Sequence, residues 1–428
     1  MQHMDVVSLI LFIAVIALAF FRKNNIGVLA LAIGVIAVRL FGMNDKTLIG
    51  AVSSSLFTTL VGITLLFAII TSTGALDLLA RKIIALAGKR IWLIPILMFL
   101  AGFTIVAVGP GGVPALAIIP PLAVAIAVEV GYNPLMLALI GISGMTSGRF
   151  SPITPESSII LNAVNEAGYA GNVTPAIWVN AVIYNMILAL IIYVVFKGYK
   201  VKAAPDAEVK QTEKFSGKQI VALLSIVVML VLIIFCNVNI GLSALAVAAV
   251  LLVFHVADDS QCIKAIPWNT IVMVLGVGAL LEVVNKAGGI SLMSDGLSKI
   301  MNSSTATPLM SLSAGLLSLV SSALGVVYPT MMPMSIDIAK QIGGVNPAAL
   351  MSAVAAAGAA SGISPMSTGG ALIIAAIAGD KGVGLTKEGE NKIFVQLLII
   401  SVLSLVLLFV VAWLIYGPVA NVLSPSAL

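Results

Sequence analysis

Apolar stretches long enough to cross a bilayer recur along all 428 residues of this sequence, and they constrain the fold more than any motif does. A helix needs about 20 apolar residues to span a hydrocarbon core roughly 30 Å thick. Runs near that length lie at 5–21, 26–42, 48–71, 175–197, 219–236, 239–256, 267–285 and 391–416. In lipid every backbone polar group must find its partner inside the chain, which helices achieve segment by segment. Composition agrees: only 9% of residues are charged and mean hydropathy is +1.17, against roughly 25% charged in a soluble domain. The expected fold class is therefore all-α and integral to the membrane, with about ten transmembrane helices.

Several function classes drop out at this point. Two cysteines, Cys236 in an apolar run and Cys262 in a loop, offer neither a disulfide framework nor a paired metal motif. His3 and His255 are too few for a histidine cluster, and no nucleophile–base constellation is visible, so an enzyme and an organic cofactor are not expected. The net charge of +5 sits in short loops beside apolar runs, where Lys and Arg orient helices rather than bind nucleic acid. Arg22 and Lys23 follow the first apolar run and no basic segment precedes it, which predicts a reverse-oriented first helix rather than a cleaved signal.

Two pairs of apolar segments are interrupted by residues that no continuous helix tolerates. Segments 91–108 and 114–130 are joined by Gly109-Pro110-Gly111-Gly112-Val113-Pro114, and 305–325 and 329–342 by the stretch around Gly325 and Pro329. Each pair is expected to form a re-entrant hairpin, over 91–130 and 305–342, with its tip inside the membrane; two full crossings joined by a tight turn is the alternative. Leu76–Arg90 and Ile290–Met301 mix apolar and charged residues at helical spacing and are expected to lie at the interface. With an offset of 213, Gly112-Val113 falls on Gly325-Val326, Pro120 on Pro333, Asn133-Pro134 on Asn346-Pro347 and Ser151-Pro152 on Ser364-Pro365. An offset one residue longer matches Gly62 to Gly276 and Gly74 to Gly288.

The chain thus divides into a repeat at 1–197, a polar linker at 198–218 and a second repeat at 219–428. Five crossings and one hairpin per half invert the second repeat relative to the first. That topology collects Arg22, Lys23, Arg81, Lys82, Lys89, Arg90, the linker lysines, Lys264, Lys381, Lys387 and Lys392 on one side. Only Lys46, Lys286, Lys299 and Lys340 fall on the other, so both termini are expected to face away from the cytoplasm.

The chemistry should sit where the backbone breaks. The segment at 133–165 contains Ser147-Gly148-Arg149-Phe150-Ser151-Pro152-Ile153-Thr154-Pro155, and the segment at 346–379 carries Ser361-Gly362-Ile363-Ser364-Pro365-Met366-Ser367-Thr368-Gly369-Gly370 at the matching place. Irregular backbone at membrane depth is tolerated only where protein buries it or water reaches it. Half-helices starting near Thr154 and Ser367-Thr368 would point positive N-terminal ends inward, suited to a carboxylate, with Thr154 and Ser367 as caps and Pro155 at the first helical position. Arg149 is the basic residue expected deep in the core, where it needs a partner. Two roles stand open: its planar fork clamps a substrate carboxylate, or it forms a fixed pair with Glu156. Glu282 and Asp337 are acids at membrane depth, either paired or available to a proton or cation.

Val108 through Ile160, with Gly-Pro-Gly-Gly-Val-Pro, Ile-Ile-Pro-Pro, Tyr-Asn-Pro and Ser-Pro-Ile-Thr-Pro-Glu, resembles the malonate/dicarboxylate carriers of the MatC type. More broadly, the layout of hairpins and broken helices is similar to the divalent-anion:sodium symporters of the ion transporter superfamily. The resemblance implies Na⁺-coupled symport of a small di- or tricarboxylate, a homodimer in the cell (inner) membrane, and elevator motion of a transport domain against a scaffold. On it, substrate would be held by Gly111, Gly112, Arg149, Ser151, Thr154 and Pro155 in the first half, and by Gly325, Ser364, Ser367 and Thr368 in the second. Na⁺ would be caged by Gly109, Gly112, Ser147 and Gly148, and by Ser322, Gly325, Ser361 and Gly362. The symporters' Ser-Asn-Thr tips are replaced here by Pro110-Gly111-Gly112 and Ala323-Leu324-Gly325, which leaves backbone to do their work. Proton coupling through Glu282 or Asp337, anion exchange, and an ion channel are the competing expectations.

Overall fold

A computed structural model describes residues 4–22, 24–201, 213–365, 367–380, 383 and 386–428. The linker expected at 198–218 falls mostly on 202–212, outside the described residues, as do Lys23 and Lys381 of the charge count. Every regular element among the described residues is helical, so the protein is all-α.

The first half opens with α1 (Met4–Arg22), α2 (Ile26–Leu40), α3 (Asp45–Gly50), α4 (Ser54–Ser72) and α5 (Ala75–Ala85). It continues through α6 (Ile94–Ala107), α7 (Gly112–Ala115), α8 (Ile119–Val130), α9 (Pro134–Gly148), α10 (Pro155–Glu166) and α11 (Thr174–Val195). The second half runs through α12 (Gly217–Ile234), α13 (Ile240–Val253), α14 (Asp259–Ala265), α15 (Trp268–Lys286) and α16 (Gly289–Ser298). After these come α17 (Ala306–Val320), α18 (Tyr328–Ile342), α19 (Pro347–Ala360), α20 (Thr368–Gly379), α21 (Lys387–Val411) and α22 (Gly417–Leu423). Among the described residues seven helices are long and apolar enough to cross a bilayer, and shorter apolar helices accompany them. Large apolar side chains such as Ile10, Phe21, Ile36, Leu190, Phe235 and Leu403 stand more than half exposed on the outside, a surface suited to lipid rather than water.

Helix starts follow from the residues in front of them. Asn25, Asn44, Ser53, Asn133, Ser216, Asn239, Asn346 and Thr386 each accept a backbone N–H of the helix they precede. Gly74 (φ 72°) and Gly288 (φ 90°) turn the chain into α5 and α16. In α5, Leu76, Ala80 and Ile84 are buried while the Arg81–Asp77 pair stays exposed, so the helix presents an apolar and a charged face. One expectation fails locally. Cys262 lies in the short helix α14 instead of a loop and is buried, because Asp258 caps that helix through Gln261 N.

Glycine makes the close helix crossings, and two of them form a matched pair. At the α2–α15 crossing a Cβ on Gly276 would overlap the carbonyl of Gly27; at the α4–α13 crossing a Cβ on Gly62 would overlap the carbonyl of Gly241. Gly27 and Gly62 become Gly241 and Gly276 on adding 214, so each crossing joins the same two positions with the halves exchanged. Small residues let backbones approach closely where lipid gives no hydrophobic drive. A third close contact, α6 on α9, relies on Gly102, Gly144 and Gly148, whose Cα atoms back onto carbonyls of the facing helix.

Candidate functional site

Both expected breaks are present, and they are built alike. Between α9 and α10, the Thr154 hydroxyl accepts Ser157 N (3.3 Å) and faces Arg149 O (2.7 Å) and Ser151 O (2.8 Å) as a donor. Between α19 and α20, the Ser367 hydroxyl accepts Gly370 N (3.3 Å) and faces Gly362 O (2.8 Å) and Ser364 O (2.7 Å). Every participant in the second set is the first shifted by 213. A short β-hydroxyl thus satisfies orphan donors and carbonyls that an unbroken helix would have paired. Thr154→Val and Ser367→Ala each remove one such staple, and each should lower stability by about 0.5–2 kcal/mol. Thermal unfolding of the purified variants checks this, with Ser158→Ala, whose hydroxyl donates to Thr154 O, as the mild control.

The breaks differ in one respect. In the first, Glu156 Oε1 takes Arg149 Nε at 3.2 Å and the Gly112 N–H at 2.8 Å, so one carboxylate ties the helix break to the tip of the segment before it. The corresponding pair in the second break is Gly362 and Gly369, where Cα of Gly369 packs directly against the Gly362 carbonyl. The Glu156 side chain is 3% exposed and that of Arg149 19%. Gly112 has no room for a side chain beside the guanidinium, and a Cβ on Gly111 (φ 78°) would stand 2.7 Å from Glu156 Oε2. The two glycines are therefore required for the carboxylate to reach the tip.

A cavity of about 720 Å³ lies where these parts meet, within the range of small-molecule sites. Of the residues expected to bind substrate or Na⁺, Gly112, Arg149, Ser322, Ser361, Gly362, Ser364, Ser367 and Thr368 line it. Gly111 and Pro155 face a neighbouring cavity of about 340 Å³, which Gly112 also touches. The others pack behind these surfaces. Ser147 and Thr154 are fully buried and Ser151 nearly so, while Gly109 abuts Phe67, Gly148 abuts Ala107 N and Gly325 abuts Met273. Thr154 and Ser147 spend their hydroxyls on backbone carbonyls, which makes them supports of the wall.

Six polar contributors to this cavity escaped the reading of the sequence: Asn24, Asn25, Thr146, Thr270, Ser318 and Ser321. Ser318 donates to Gly358 O (3.1 Å) and shares a hydrogen bond with Ser361 (2.8 Å), and Ser321 lies next to the second tip. Ser318 stands one helical turn before Ser321 and Ser322, a spacing that would have revealed it. Asn25 and Thr270 carried no such signal, because Asn25 reaches Asn269 O across 244 residues of sequence. Glu282 is paired with Lys286 at 3.1 Å and half exposed, and neither it nor Asp337 lines the large cavity.

The sequence of residues 15–328 matches the citrate transporter family, CitMHS. No curated relative matches the chain. Among solved structures, the fold is similar to the YdaH transporter of Alcanivorax borkumensis, with TM-score 0.59 at 13% identity over 88% of this chain and 87% of that one. It is likewise similar to MtrF of Neisseria gonorrhoeae, from a class of antimetabolite efflux pumps, with TM-score 0.62 at 15% identity over 91% and 86% of the two chains. At such identities the solved structures speak for the fold, that of an all-α membrane transporter. The resemblance to anion carriers of the ion transporter superfamily holds at that breadth, with citrate transporters as the matching family. The match covers well over half of the sequence, and this multi-pass membrane protein, a secondary transporter of a small organic anion and not an enzyme, belongs to the citrate transporter family.

Proposed function

We propose that the protein carries a small di- or tricarboxylate, of the citrate or malonate class, inward by Na⁺-coupled symport. The observation that carries this reading is the 720 Å³ cavity, which gathers Arg149, Gly112 of the first tip, Ser322 of the second, and Ser361, Ser364, Ser367 and Thr368 of the second break. One substrate carboxylate lies against Arg149 and the other against the hydroxyls and helix start of the second break, where N–H groups and the helix dipole favour an anion. The supports for an inverted repeat are the glycine crossings and the twin hydroxyl staples, which recur at a near-constant offset. On that topology 91–130 and 305–342 are re-entrant hairpins, the divisions at 1–197, 198–218 and 219–428 follow, and both termini lie outside the cytoplasm. The cavity extends toward Asn25 and Thr270, near the basic Arg22 and Lys264; by the charge bias of the loops this is the cytoplasmic side, so the state is inward-facing. Loading from the other side then requires the tips and breaks to move together against α2, α4, α13 and α15, an elevator-type step, and a homodimer would anchor those helices.

Proteoliposomes under separately imposed Na⁺ and pH gradients test the reading. Saturable uptake of labelled citrate or malonate is expected to rise with an inward Na⁺ gradient at constant pH. Uptake driven by pH alone and indifferent to Na⁺ would replace sodium with protons as the coupling ion. Ionic currents without saturable uptake would point to a channel.

A further inference from the structure

The short helix α5 and its counterpart α16 fold alike, each entered through a left-handed glycine and each half-buried against the protein. Their charges differ. By the offset of 214 that carries Gly74 onto Gly288, Arg81, Lys82, Lys89 and Arg90 fall on Asp295, Gly296, Ser303 and Ser304. The shared fold therefore does not require these four cations. Arg81 is held by Asp77 at 3.0 Å, whereas Lys89 and Arg90 are exposed and make no ion pair among the described residues. Two contacts bring further charge from the start of the second half. Lys82 Nζ stands 5.2 Å from the centre of the Phe215 ring, and Gln219 Nε2 donates to Thr73 O at 3.1 Å. The exposed Lys214 and Lys218 thereby come beside α5, with Asp77 and Glu213 as the acids of these stretches. The chain leaves the patch as α6, whose outer side is apolar. Trp92, Ile96 and Leu100 follow one another four residues apart and all stand exposed. Their stripe climbs about 12 Å, most of the roughly 15 Å depth of one leaflet, and a Trp at its foot suits the headgroup level.

We propose that this surface binds an anionic phospholipid of the cytoplasmic leaflet, its phosphate on Lys89 and Arg90 and an acyl chain along Trp92, Ile96 and Leu100. Charge selects the headgroup. Each basic residue at the membrane surface attracts a lipid of net negative charge, whereas a zwitterionic headgroup sets its own cation against the patch. The stripe selects a lipid over a soluble phosphate, because exposed apolar side chains in a row are covered by a tail and not by water. Orienting the helices would need cations only somewhere in the loop; here they gather at the foot of a lipid-facing stripe. The helix α5 joins α4 to α6, the first arm of the first hairpin. A lipid held there pins that joint at the interface while the parts on either side of it shift. The choice of leaflet and the shift rest on the topology and elevator step proposed above; the binding itself does not.

Purified full-length protein, delipidated in detergent, is titrated with phosphatidylglycerol, phosphatidylcholine or glycerol 3-phosphate. Native mass spectrometry reads the bound lipid and thermal unfolding reads the stabilisation. The wild type is expected to retain phosphatidylglycerol and gain stability from it, with little response to the other two. Lys89→Gln/Arg90→Gln should weaken phosphatidylglycerol binding by about 30-fold. Lys46→Gln/Lys299→Gln removes the same charge from exposed positions outside the patch and should leave binding unchanged. A folded Lys89→Gln/Arg90→Gln protein that binds as the wild type does overturns the proposal. So does equal weakening in both double variants, which would reduce the effect to net charge. An equal response to phosphatidylcholine or to glycerol 3-phosphate overturns it as well, in favour of plain lipid packing or a free-phosphate site. Citrate uptake by proteoliposomes decides the carrier reading separately, so either can fail while the other stands.

Discussion

Arg149→Ala should eliminate uptake and destabilise the protein together. The substitution removes the only ion-pair partner, among the described residues, of a carboxylate that is 3% exposed and already committed to Gly112 N. Breaking one side of such a buried pair costs about 3–5 kcal/mol, because the remaining charge has nothing to offset it. Transport loss alone would not distinguish a substrate ligand from a structural partner. Two further variants do so. Arg149→Lys keeps the charge and gives up the planar fork, so a bidentate substrate contact fails while a simple partner for Glu156 survives in part. The double variant Arg149→Ala/Glu156→Ala removes both charges and should regain most of the lost stability. Uptake that returns with stability in this double variant confines Arg149 to the wall; uptake that is absent both there and in a stably folded Arg149→Lys, which keeps Glu156 and its charge partner, assigns Arg149 to the substrate. The measurements are thermal unfolding and initial rates in proteoliposomes at matched reconstitution.

The fold class was legible because lipid imposes a coarse code: runs of apolar residues, breaks at Gly and Pro, and caps of Asn, Ser and Thr. Thr154 and Ser367 were identifiable as caps before any coordinates, since a hydroxyl ahead of a half-helix has few other uses at that depth. For Arg149 the sequence left two roles open, a substrate clamp or a pair with Glu156, and the structure brings those two side chains into contact. What the sequence hid was the third member. Gly112 N reaches Glu156 from 44 residues away, and no local pattern announces a backbone donor aimed at a distant carboxylate. The same holds for the partition into two cavities, which depends on Arg149 and Glu156 facing opposite ways from one short break. Site residues buried behind the wall, such as Ser147 and Ser151, were grouped with the lining ones because sequence spacing gives proximity and not direction. The helix α14 was missed since seven residues are too few for periodicity to register.

Gly276→Ala should leave little folded protein, although helix propensity alone predicts a gain of about 1 kcal/mol from replacing glycine. The added methyl has no space: it would overlap the carbonyl of Gly27 and stand 2.6 Å from its carbonyl carbon. These are backbone atoms, which cannot rotate aside, so α2 and α15 must separate along their length. Overpacking costs about 1–3 kcal/mol where side chains can adjust, and a rigid helix crossing belongs at or above the top of that range. Gly278, two residues on in the same helix, has nothing within 4 Å of the same hypothetical atom. Gly278→Ala should therefore be neutral or stabilising, and size-exclusion profiles with melting temperatures of the two variants give a direct comparison. The matched crossing supplies the decisive arm. Gly62 meets the carbonyl of Gly241 as Gly276 meets that of Gly27, so Gly62→Ala should fail as Gly276→Ala does. A chain that tolerates either substitution does not hold those helices at backbone contact. The frame against which the tips and breaks are expected to move would then have no fixed geometry.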